Sequence, residues 1–182
     1  MARRINIDVG AHTRASSDVV FALLVDGKTW PDWTPIEDFE LEQAGDPRTG
    51  VGEVRVFRRG RTLGRDQVVE LVPKRRLAYV SLSGLPVRAY RAEIELQAIA
   101  RGTAIRWRAS FFPRFPLTGR VLKRGLHSFL DECVRGLAAY AESMMVRAEM
   151  PKPQFAAPAD APSMPARRAW LTSTKAESIG DT

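Results

Sequence analysis

Few side chains in this sequence have the chemistry for nucleophilic or acid–base catalysis. The two histidines, His12 and His127, lie at the end of the first predicted strand and on the last predicted helix, and imidazole titrates near neutral pH. Cys133 is the only thiol, on the inner face of that helix, where a cysteine more often behaves as a small hydrophobic residue than as a nucleophile. We interpret His12 as structural, Cys133 as core and His127 as a surface or rim residue, with proton transfer by His127 as the alternative.

The sequence has no pattern typical of a metal centre or a bound cofactor. Two distant histidines and one cysteine cannot complete a typical coordination shell, so we expect no metal site and no cofactor. A single cysteine also excludes an intramolecular disulfide. Gly45, Gly50 and Gly52 lack the strand-to-helix context and the Lys-Ser/Thr ending of a phosphate-binding loop, so we interpret them as turn residues.

The length of 182 residues suits one domain, since single domains usually have about 100 to 200 residues. No stretch approaches the roughly 18 consecutive apolar residues that span a bilayer, and no apolar signal segment follows the first residues, so we expect a cytoplasmic protein. Five prolines lie between residues 151 and 165, in a segment rich in Ala and Ser. We therefore predict a domain at 1–148 and a disordered Pro/Ala-rich tail at 149–182.

The net charge is +7, and the basic excess lies before residue 149. Many of the arginines fall in predicted turns and on outer strand faces: Arg58, Arg59, Arg61, Arg75, Arg76, Arg88, Arg106 and Arg108. We interpret them as a solvated basic surface, with contact to nucleic acid or anionic lipid head groups as the alternative. Neither an RNA-recognition pattern nor a recognition helix is present, so we expect no sequence-specific nucleic acid binding. The oligomeric state stays open between monomer and homodimer.

Hydrophobic periodicity predicts a mostly antiparallel sheet and one long helix. Strands with one apolar face are predicted at 5–11, 36–42, 53–58, 62–72, 77–82, 88–99 and 103–112. A short helix follows Ser16, a turn or very short helix is predicted at 30–35, and a long amphipathic helix at 117–147. This order predicts an α+β fold in which a curved sheet wraps around the last helix.

Four segments in this order resemble the SRPBCC superfamily: Trp30–Pro35, Pro73–Tyr79, Ser83–Pro86 and Gly102–Trp107. More narrowly, residues 3–147 resemble its bacterial polyketide cyclase/dehydrase and lipid-transport-like branch, which is related to START domains and birch-pollen-allergen-like proteins. The resemblance implies a helix-grip fold: about seven antiparallel strands around a long C-terminal helix, with two short helices after strand one. It also implies a deep apolar cavity between sheet and helix, but it carries over no catalytic residue.

The predicted cavity is lined by residues on the inner faces of the sheet and the last helix. The candidates are Trp33, Tyr79, Tyr90, Ile94, Trp107, Phe111, Leu126, Phe129 and Cys133. On the fourth strand the register is open. If the face that carries Arg65 and Gln67 points inward, these residues reach the cavity and could bind a carboxylate or carbonyl; if it points outward, they are solvated.

These observations favour a protein that binds a hydrophobic small molecule, such as a lipid, quinone or polyketide-like compound, without necessarily changing it. One alternative is an enzyme, a polyketide aromatase/cyclase or dehydratase. The other is an interaction module that uses the basic surface or the tail to contact a protein, nucleic acid or membrane.

Overall fold

Seven strands form one antiparallel sheet in the computed structural model, which describes residues 3–149. In chain order they are β1 (Ile5–Thr13), β2 (Asp38–Gln43), β3 (Val54–Arg59), β4 (Thr62–Val72), β5 (Arg76–Ser83), β6 (Val87–Ile99) and β7 (Gly102–Pro113). Across the sheet the order is β1-β7-β6-β5-β4-β3-β2, so β2 to β7 pair with their sequence neighbours and β1 pairs with β7. The predicted α+β, helix-grip architecture is confirmed.

Two short helices connect β1 to β2, as predicted. Helix α1 spans Ser17–Val25, and Ser16 caps its N-terminus because its Oγ accepts a hydrogen bond from Val19 N at 3.4 Å. A single 3-10 turn at Gly27–Thr29 then leads directly into α2, which spans Trp30–Trp33. These segments close one end of the sheet's inner face.

The long C-terminal helix, α3 (Gly119–Glu149), lies against the inner face of the sheet and contacts β1 and β7. It begins two residues later than predicted, because Leu117 has a φ of 65°, outside the right-handed helical region. Its completely buried apolar side chains include Leu130, Val134, Leu137 and Ala141. These four residues lie between positions 130 and 141, so the middle of the helix and the turns that follow it supply its share of the core.

Helix α3 approaches α2 closely at Gly136. A methyl group on Gly136 would lie 2.0 Å from the carbonyl oxygen of Trp33, so the two backbones could not approach this closely with a larger residue. Nearby, the Thr13 hydroxyl at the end of β1 donates a hydrogen bond to the carbonyl oxygen of Ala138 at 3.0 Å. These contacts fix the C-terminal half of α3 on the sheet.

The segment predicted as a disordered tail lies outside the described residues, except for Glu149, where α3 ends. Within residues 3–149, none of the helices combines the length and the apolar composition that crossing a bilayer requires.

Candidate functional site

A cavity of about 460 Å³ lies between the inner face of the sheet and the N-terminal half of α3. Its volume is within the range of about 300 to 1,000 Å³ that is typical of small-molecule sites. The sheet lines it with Phe57, Arg58, Arg59, Thr62, Gly64, Asp66, Tyr79, Ser81, Tyr90 and Trp107. The helices line it with Trp30, Val121, Leu122, Gly125, Leu126 and Phe129. Because most of these side chains are apolar, the cavity suits a ligand with a largely apolar body.

Two glycines leave room for the cavity. Gly64 pairs with Phe57 across the β3–β4 ladder, and a methyl group on Gly64 would have only the Phe57 carbonyl oxygen within reach, at 4.0 Å. At Gly125 on α3, a methyl group would have no atom within 4 Å. A side chain at Gly64 would therefore project into open space in the cavity wall without displacing other atoms.

The structure brings together five of the predicted cavity residues in the cavity wall: Tyr79, Tyr90, Trp107, Leu126 and Phe129. Three other candidates, Ile94, Phe111 and Cys133, are buried in the adjoining core and do not line the cavity. They lie on the expected inner surfaces, but at positions where helix and sheet are in direct contact.

Trp30, rather than the predicted Trp33, lies in the cavity wall. Its ring stacks on Phe57 with a centroid distance of 4.9 Å, and its Nε1 donates a hydrogen bond to the Leu24 carbonyl at 3.2 Å. The Trp33 side chain is buried beside it and donates its Nε1–H to Thr29 Oγ1 at 3.1 Å. Trp33 thus fixes the turn that positions Trp30.

On β4, the face that carries Asp66 points into the cavity, and Arg65 and Gln67 do not line it. A bulge in the β4–β5 pairing lies between Arg65 and Asp66, so that Asp66 pairs with Ser81. Arg65 instead forms an ion pair with the exposed Glu42 on β2. The structure thus adopts the alternative register for this strand, and Arg65 and Gln67 are removed from the set of cavity residues.

Asp66 places a carboxyl group in a mostly apolar wall. Burial raises its pKa from 3.8 to about 7, and this effect exceeds those of a hydrogen bond with Ser81 and of the positive charge of Arg55, which both lower the pKa. Near neutral pH the group is therefore present both as the acid and as the carboxylate. The acid can donate a hydrogen bond to a ligand, and the carboxylate can accept a proton from one.

Arg55 does not provide an available positive charge in the wall. It is 2% exposed, and its Nη1 and Nη2 donate hydrogen bonds to the Leu24 and Val25 carbonyls at 2.9 and 2.6 Å. Its Nε donates to Glu53 Oε1 at 2.5 Å. Since each of its nitrogen atoms has an acceptor, Arg55 holds the end of α1 on β3. A ligand carboxylate in the inner part of the cavity would meet Asp66 and no available cation.

The indole N–H of Trp107, a residue that lines the cavity, is a buried donor without a partner in the described part of the chain. Trp107 is completely buried, and its Nε1 has no hydrogen-bond acceptor among residues 3–149. Leaving such a buried donor unpaired costs about 1–3 kcal/mol, which a ligand with an acceptor atom would recover.

Two tyrosines complete the polar part of the wall. Burial, together with repulsion from Tyr90 and Asp66, raises the pKa of Tyr79 well above its usual value. Burial and the negative charge of Asp66 raise the pKa of Tyr90 as well. Both phenols therefore keep their protons at neutral pH and act as hydrogen-bonding groups rather than as bases.

The mouth of the cavity lies between the β3–β4 hairpin, the β5–β6 turn and the N-terminal half of α3. Arg59 of the hairpin extends across it, with the guanidinium carbon 5.1 Å from the centroid of the Phe129 ring on α3. The turn contributes Leu85 and Pro86. An exposed cation–π contact is worth about 0.5–1 kcal/mol, so this contact can open at little energetic cost.

The other residues considered for catalysis lie elsewhere. Burial raises the pKa of the Cys133 thiol to about 12, so at neutral pH it is protonated and unreactive. His12 and His127 are both exposed and outside the cavity lining. In the part of the chain that the structure describes, no three His, Cys, Asp or Glu side chains are grouped closely enough to hold a metal ion.

A wider groove of about 1590 Å³ lies on the outer face of the sheet and along its edge. Its walls carry charged side chains that pair with each other, such as Asp8 and Arg106, with 3.0 Å between Oδ1 and Nε. The lining of this groove is much more polar than that of the cavity under α3. We therefore treat the smaller cavity as the candidate site.

Several solved structures are similar to this fold. The aromatase/cyclase Zhui from Streptomyces sp. R1128 is 18% identical, with a TM-score of 0.68 over 81% of this chain and 99% of that one. A START superfamily protein from Mycobacterium smegmatis is 12% identical, with a TM-score of 0.65 over 78% and 98%. Ara h 8.0201 is 13% identical, with a TM-score of 0.64 over 78% and 99%. At these identities the similarity establishes the fold alone.

The sequence of residues 4–142 matches the family model described as polyketide cyclase/dehydrase and lipid transport. This match confirms the resemblance inferred from the sequence. Among curated proteins, none matches this sequence.

Proposed function

This chain belongs to the polyketide cyclase/dehydrase and lipid transport family, and we propose that it binds a hydrophobic small molecule, of the lipid, quinone or polyketide type, in the cavity under α3. The observation that carries the proposal is a mostly apolar cavity whose wall contains an unpartnered donor, the Trp107 indole N–H. Burial of apolar ligand surface contributes about 25 cal/mol per Å². The donor then selects the orientation of the ligand.

The polar groups of the wall favour an uncharged ligand that carries a carbonyl or hydroxyl oxygen. Trp107 and protonated Asp66 can both donate to such an oxygen. A ligand carboxylate is disfavoured, because Arg55 is already paired and Asp66 would repel the negative charge. In the inner part of the cavity a quinone or polyketide carbonyl therefore fits better than a carboxylate, whereas a carboxylate at the mouth could pair with Arg59.

The first test is native mass spectrometry of freshly purified protein, followed by denaturation and identification of any released compound. A thermal-unfolding screen with lipids, quinones and aromatic polyketides complements it. A ligand at 100 times its Kd should stabilise the native state by about 2.7 kcal/mol, which is readily measured. A protein that releases no compound and gains no stability from any of these classes would contradict the proposal.

A pair of neighbouring substitutions separates binding in the cavity from binding elsewhere. Gly64→Leu fills part of the cavity, whereas Arg65→Leu introduces the same side chain on the other face of β4. We expect Gly64→Leu to weaken ligand binding by at least tenfold and Arg65→Leu to leave it within about twofold, since the exposed pair that it removes is worth about 0–1 kcal/mol. Equal effects of the two substitutions would place the ligand outside this cavity.

Trp107→Phe tests the orienting hydrogen bond, because it removes the N–H and keeps an aromatic ring. For a carbonyl ligand the lost bond should weaken binding by about 0.5–1.5 kcal/mol, roughly 2- to 10-fold. A pure hydrocarbon probe of similar size should bind both proteins equally. The comparison between the two probes separates the hydrogen bond from a change in packing.

An enzymatic role is the second candidate, favoured by the pKa of about 7 of Asp66. A general acid–base group works best when its pKa lies near the operating pH. In a cyclase, the Asp66 carboxylate would take a proton from a carbon between two carbonyls, and the Trp107 N–H would polarise the carbonyl that is attacked. In a dehydratase, the protonated form would donate to the departing hydroxyl.

The enzymatic role is tested with a linear poly-β-keto thioester and product analysis by mass spectrometry. We expect Asp66→Asn to lose turnover while it still binds a non-reactive analogue. Binding without any turnover by the unchanged protein would leave the carrier role and eliminate the enzymatic one.

A further inference from the structure

Three large apolar side chains project from the protein beside the cavity mouth. Leu117 is 100% exposed, Val121 76% and Phe115 55%, and all three belong to the β7–α3 connection and the first turn of α3. Leu117 has a φ of 65°, a left-handed conformation that leucine rarely adopts. Contiguous exposed apolar groups of this kind mark interaction surfaces more often than single scattered ones do.

These apolar side chains are surrounded by positive charge. A shallow groove contains Phe115 and Leu117 together with the basic residues Arg3, Arg4, Arg88, Arg114, Arg120 and Lys123, and it has no acidic residue. We call this groove, together with Val121, the rim surface. In the sequence, residues 96–130 include seven Lys or Arg and no Asp or Glu.

Among the described residues, the basic side chains of the outer sheet face have acidic partners, whereas those of the rim surface have none. On the outer face, Arg106 pairs with Asp8 and Arg108 with Glu95. In the part of the chain covered by the structure, no basic residue of the rim surface forms an ion pair with a carboxylate. The positive potential of this surface is therefore not cancelled locally.

The rim surface is continuous with the cavity mouth. Val121 belongs to both, and the next residue of α3, Leu122, also lines the cavity. The β7–α3 connection is held against the β5–β6 turn by a hydrogen bond from Arg114 N to the Pro86 carbonyl at 3.2 Å, and Pro86 lines the cavity as well. A partner that covers the rim surface would lie directly at the opening.

We propose that the rim surface docks on an anionic lipid bilayer. Phe115, Leu117 and Val121 enter the interface between head groups and acyl chains, and the surrounding Arg and Lys side chains contact the anionic head groups. A bilayer fits better than an acidic protein because fluid lipids adapt to three protruding side chains, whereas a protein would need a pocket of matching shape. Docking in this orientation lets an apolar ligand pass between bilayer and cavity without crossing water.

The test is sedimentation of the full-length protein with two kinds of vesicle. One kind is pure phosphatidylcholine, and the other contains about one third phosphatidylglycerol, which supplies the negative surface potential. We expect binding to the anionic vesicles that weakens at least tenfold when salt rises from about 0.1 to about 1 M, since the Debye length falls from about 10 to about 3 Å. Absence of binding, or equal binding to both kinds of vesicle, would overturn the proposal.

Two pairs of double variants locate the contact. Arg120→Glu with Lys123→Glu reverses two charges on the rim surface, and Lys28→Glu with Arg48→Glu makes the same change in net charge at exposed positions outside it. We expect at least tenfold weaker vesicle binding for the first pair and less than a twofold change for the second.

The second pair of variants tests the apolar contribution. Phe115→Ser with Leu117→Ser should weaken vesicle binding at least fivefold, whereas Leu41→Ser with Val146→Ser, exposed apolar residues elsewhere, should not. Each variant keeps residues 150–182 unchanged, so a contribution of that segment cancels. If neither rim double variant differs from its control, the contact lies elsewhere and the proposal is wrong.

Two further outcomes separate this proposal from its alternatives. Salt-sensitive binding to an acidic polypeptide such as polyglutamate, without binding to vesicles, would replace the bilayer by an acidic protein partner. The Gly64→Leu variant, whose cavity is partly filled, should sediment like the unchanged protein. Vesicle docking and ligand binding can therefore fail independently.

Discussion

Replacing Asp66 by asparagine should change how the stability of the protein depends on pH. In the folded protein the pKa of Asp66 is raised from 3.8 to about 7, so the native state holds this proton more tightly than the unfolded chain does. Between these two pH values, stability falls as the pH rises, because ionisation is penalised only in the folded state. The asparagine side chain does not ionise, so this part of the pH dependence disappears in the variant.

The size of the effect follows from the shift. A change of one pKa unit corresponds to about 1.36 kcal/mol, so the whole range from 3.8 to about 7 corresponds to about 4 kcal/mol. An experiment from about pH 5 to about pH 8 covers the two pH units below the raised pKa, which correspond to about 2–3 kcal/mol of stability. We expect the free energy of unfolding of Asp66→Asn, relative to that of the unchanged protein, to increase by this amount as the pH rises from about 5 to about 8. With a urea m-value of about 1–3 kcal/mol/M, the difference between the two urea midpoints changes by about 0.7–3 M.

Asp8→Asn is the matched control. A hydrogen bond from Arg106 lowers the pKa of Asp8 below 3.8 in the folded protein, so its contribution to stability is present above 3.8 and is lost only as the pH falls through the lowered value. The stability difference for Asp8→Asn should therefore stay constant between about pH 5 and about pH 8. If the difference for Asp66→Asn is equally constant, Asp66 titrates as an ordinary carboxyl group, and the argument for an apolar wall around it fails.

Other substitutions test the packing around the cavity. Gly136→Ala should lower the free energy of unfolding by about 1–3 kcal/mol, because its methyl group would lie 2.0 Å from a backbone oxygen of α2. Gly125→Ala lies at an open position of the same helix, so the higher helix propensity of alanine should raise the free energy of unfolding by up to about 1 kcal/mol. Urea unfolding of both variants checks this, and a change of the same sign for both would contradict the close contact. Arg55→Met should lower the free energy of unfolding by about 3–5 kcal/mol, because it leaves a carboxylate and two helix carbonyls without a donor. The control Arg58→Met removes an exposed ion pair and should lower it by about 0–1 kcal/mol. Similar urea midpoints for the two variants would show that Arg55 is not structural. Cys133 should react with a disulfide reagent only as fast as the protein unfolds, and rapid labelling of the native protein would show that its thiol is accessible.

The strands were predictable where one face is apolar and the other is polar. In β7, Ile105 and Trp107 point inward and Arg106 and Arg108 outward, a period of two that leaves one register. β4 lacks this signal, because Arg65 and Asp66 put a charged residue on each face. Its orientation depends on a bulge in the pairing with β5, which no local pattern predicts.

The inner faces were predictable, but not the boundary between cavity and core. Ile94 and Tyr79 both point inward, yet only Tyr79 lines the cavity, because the distance between α3 and the sheet changes along the helix. Gly64 was a signal for open space that sequence reasoning missed, but it is usable only once the inward face of β4 is known. The role of Trp30 was not separable from that of Trp33, since the order of two tryptophans in one turn does not determine which ring faces the sheet.

The pairing of β1 with β7 has a consequence for how the protein is made. The register joins Ile5 to Phe111 and Thr13 to Thr103, so the ladder closes a loop on the order of 100 residues long. β1 leaves the ribosome before the other six strands, and its apolar side chains Ile7 and Val9 have no partner strand until β7 has been synthesised. Until then they are available to chaperones or to other nascent chains.

The long helix that forms one wall of the cavity follows β7 in the chain. A nascent chain without this helix has all seven strands, but nothing from α3 covers the inner face of its sheet. The compartment for a ligand is therefore the last part of the fold to form, and a ligand can be enclosed only after nearly all of the domain has been translated.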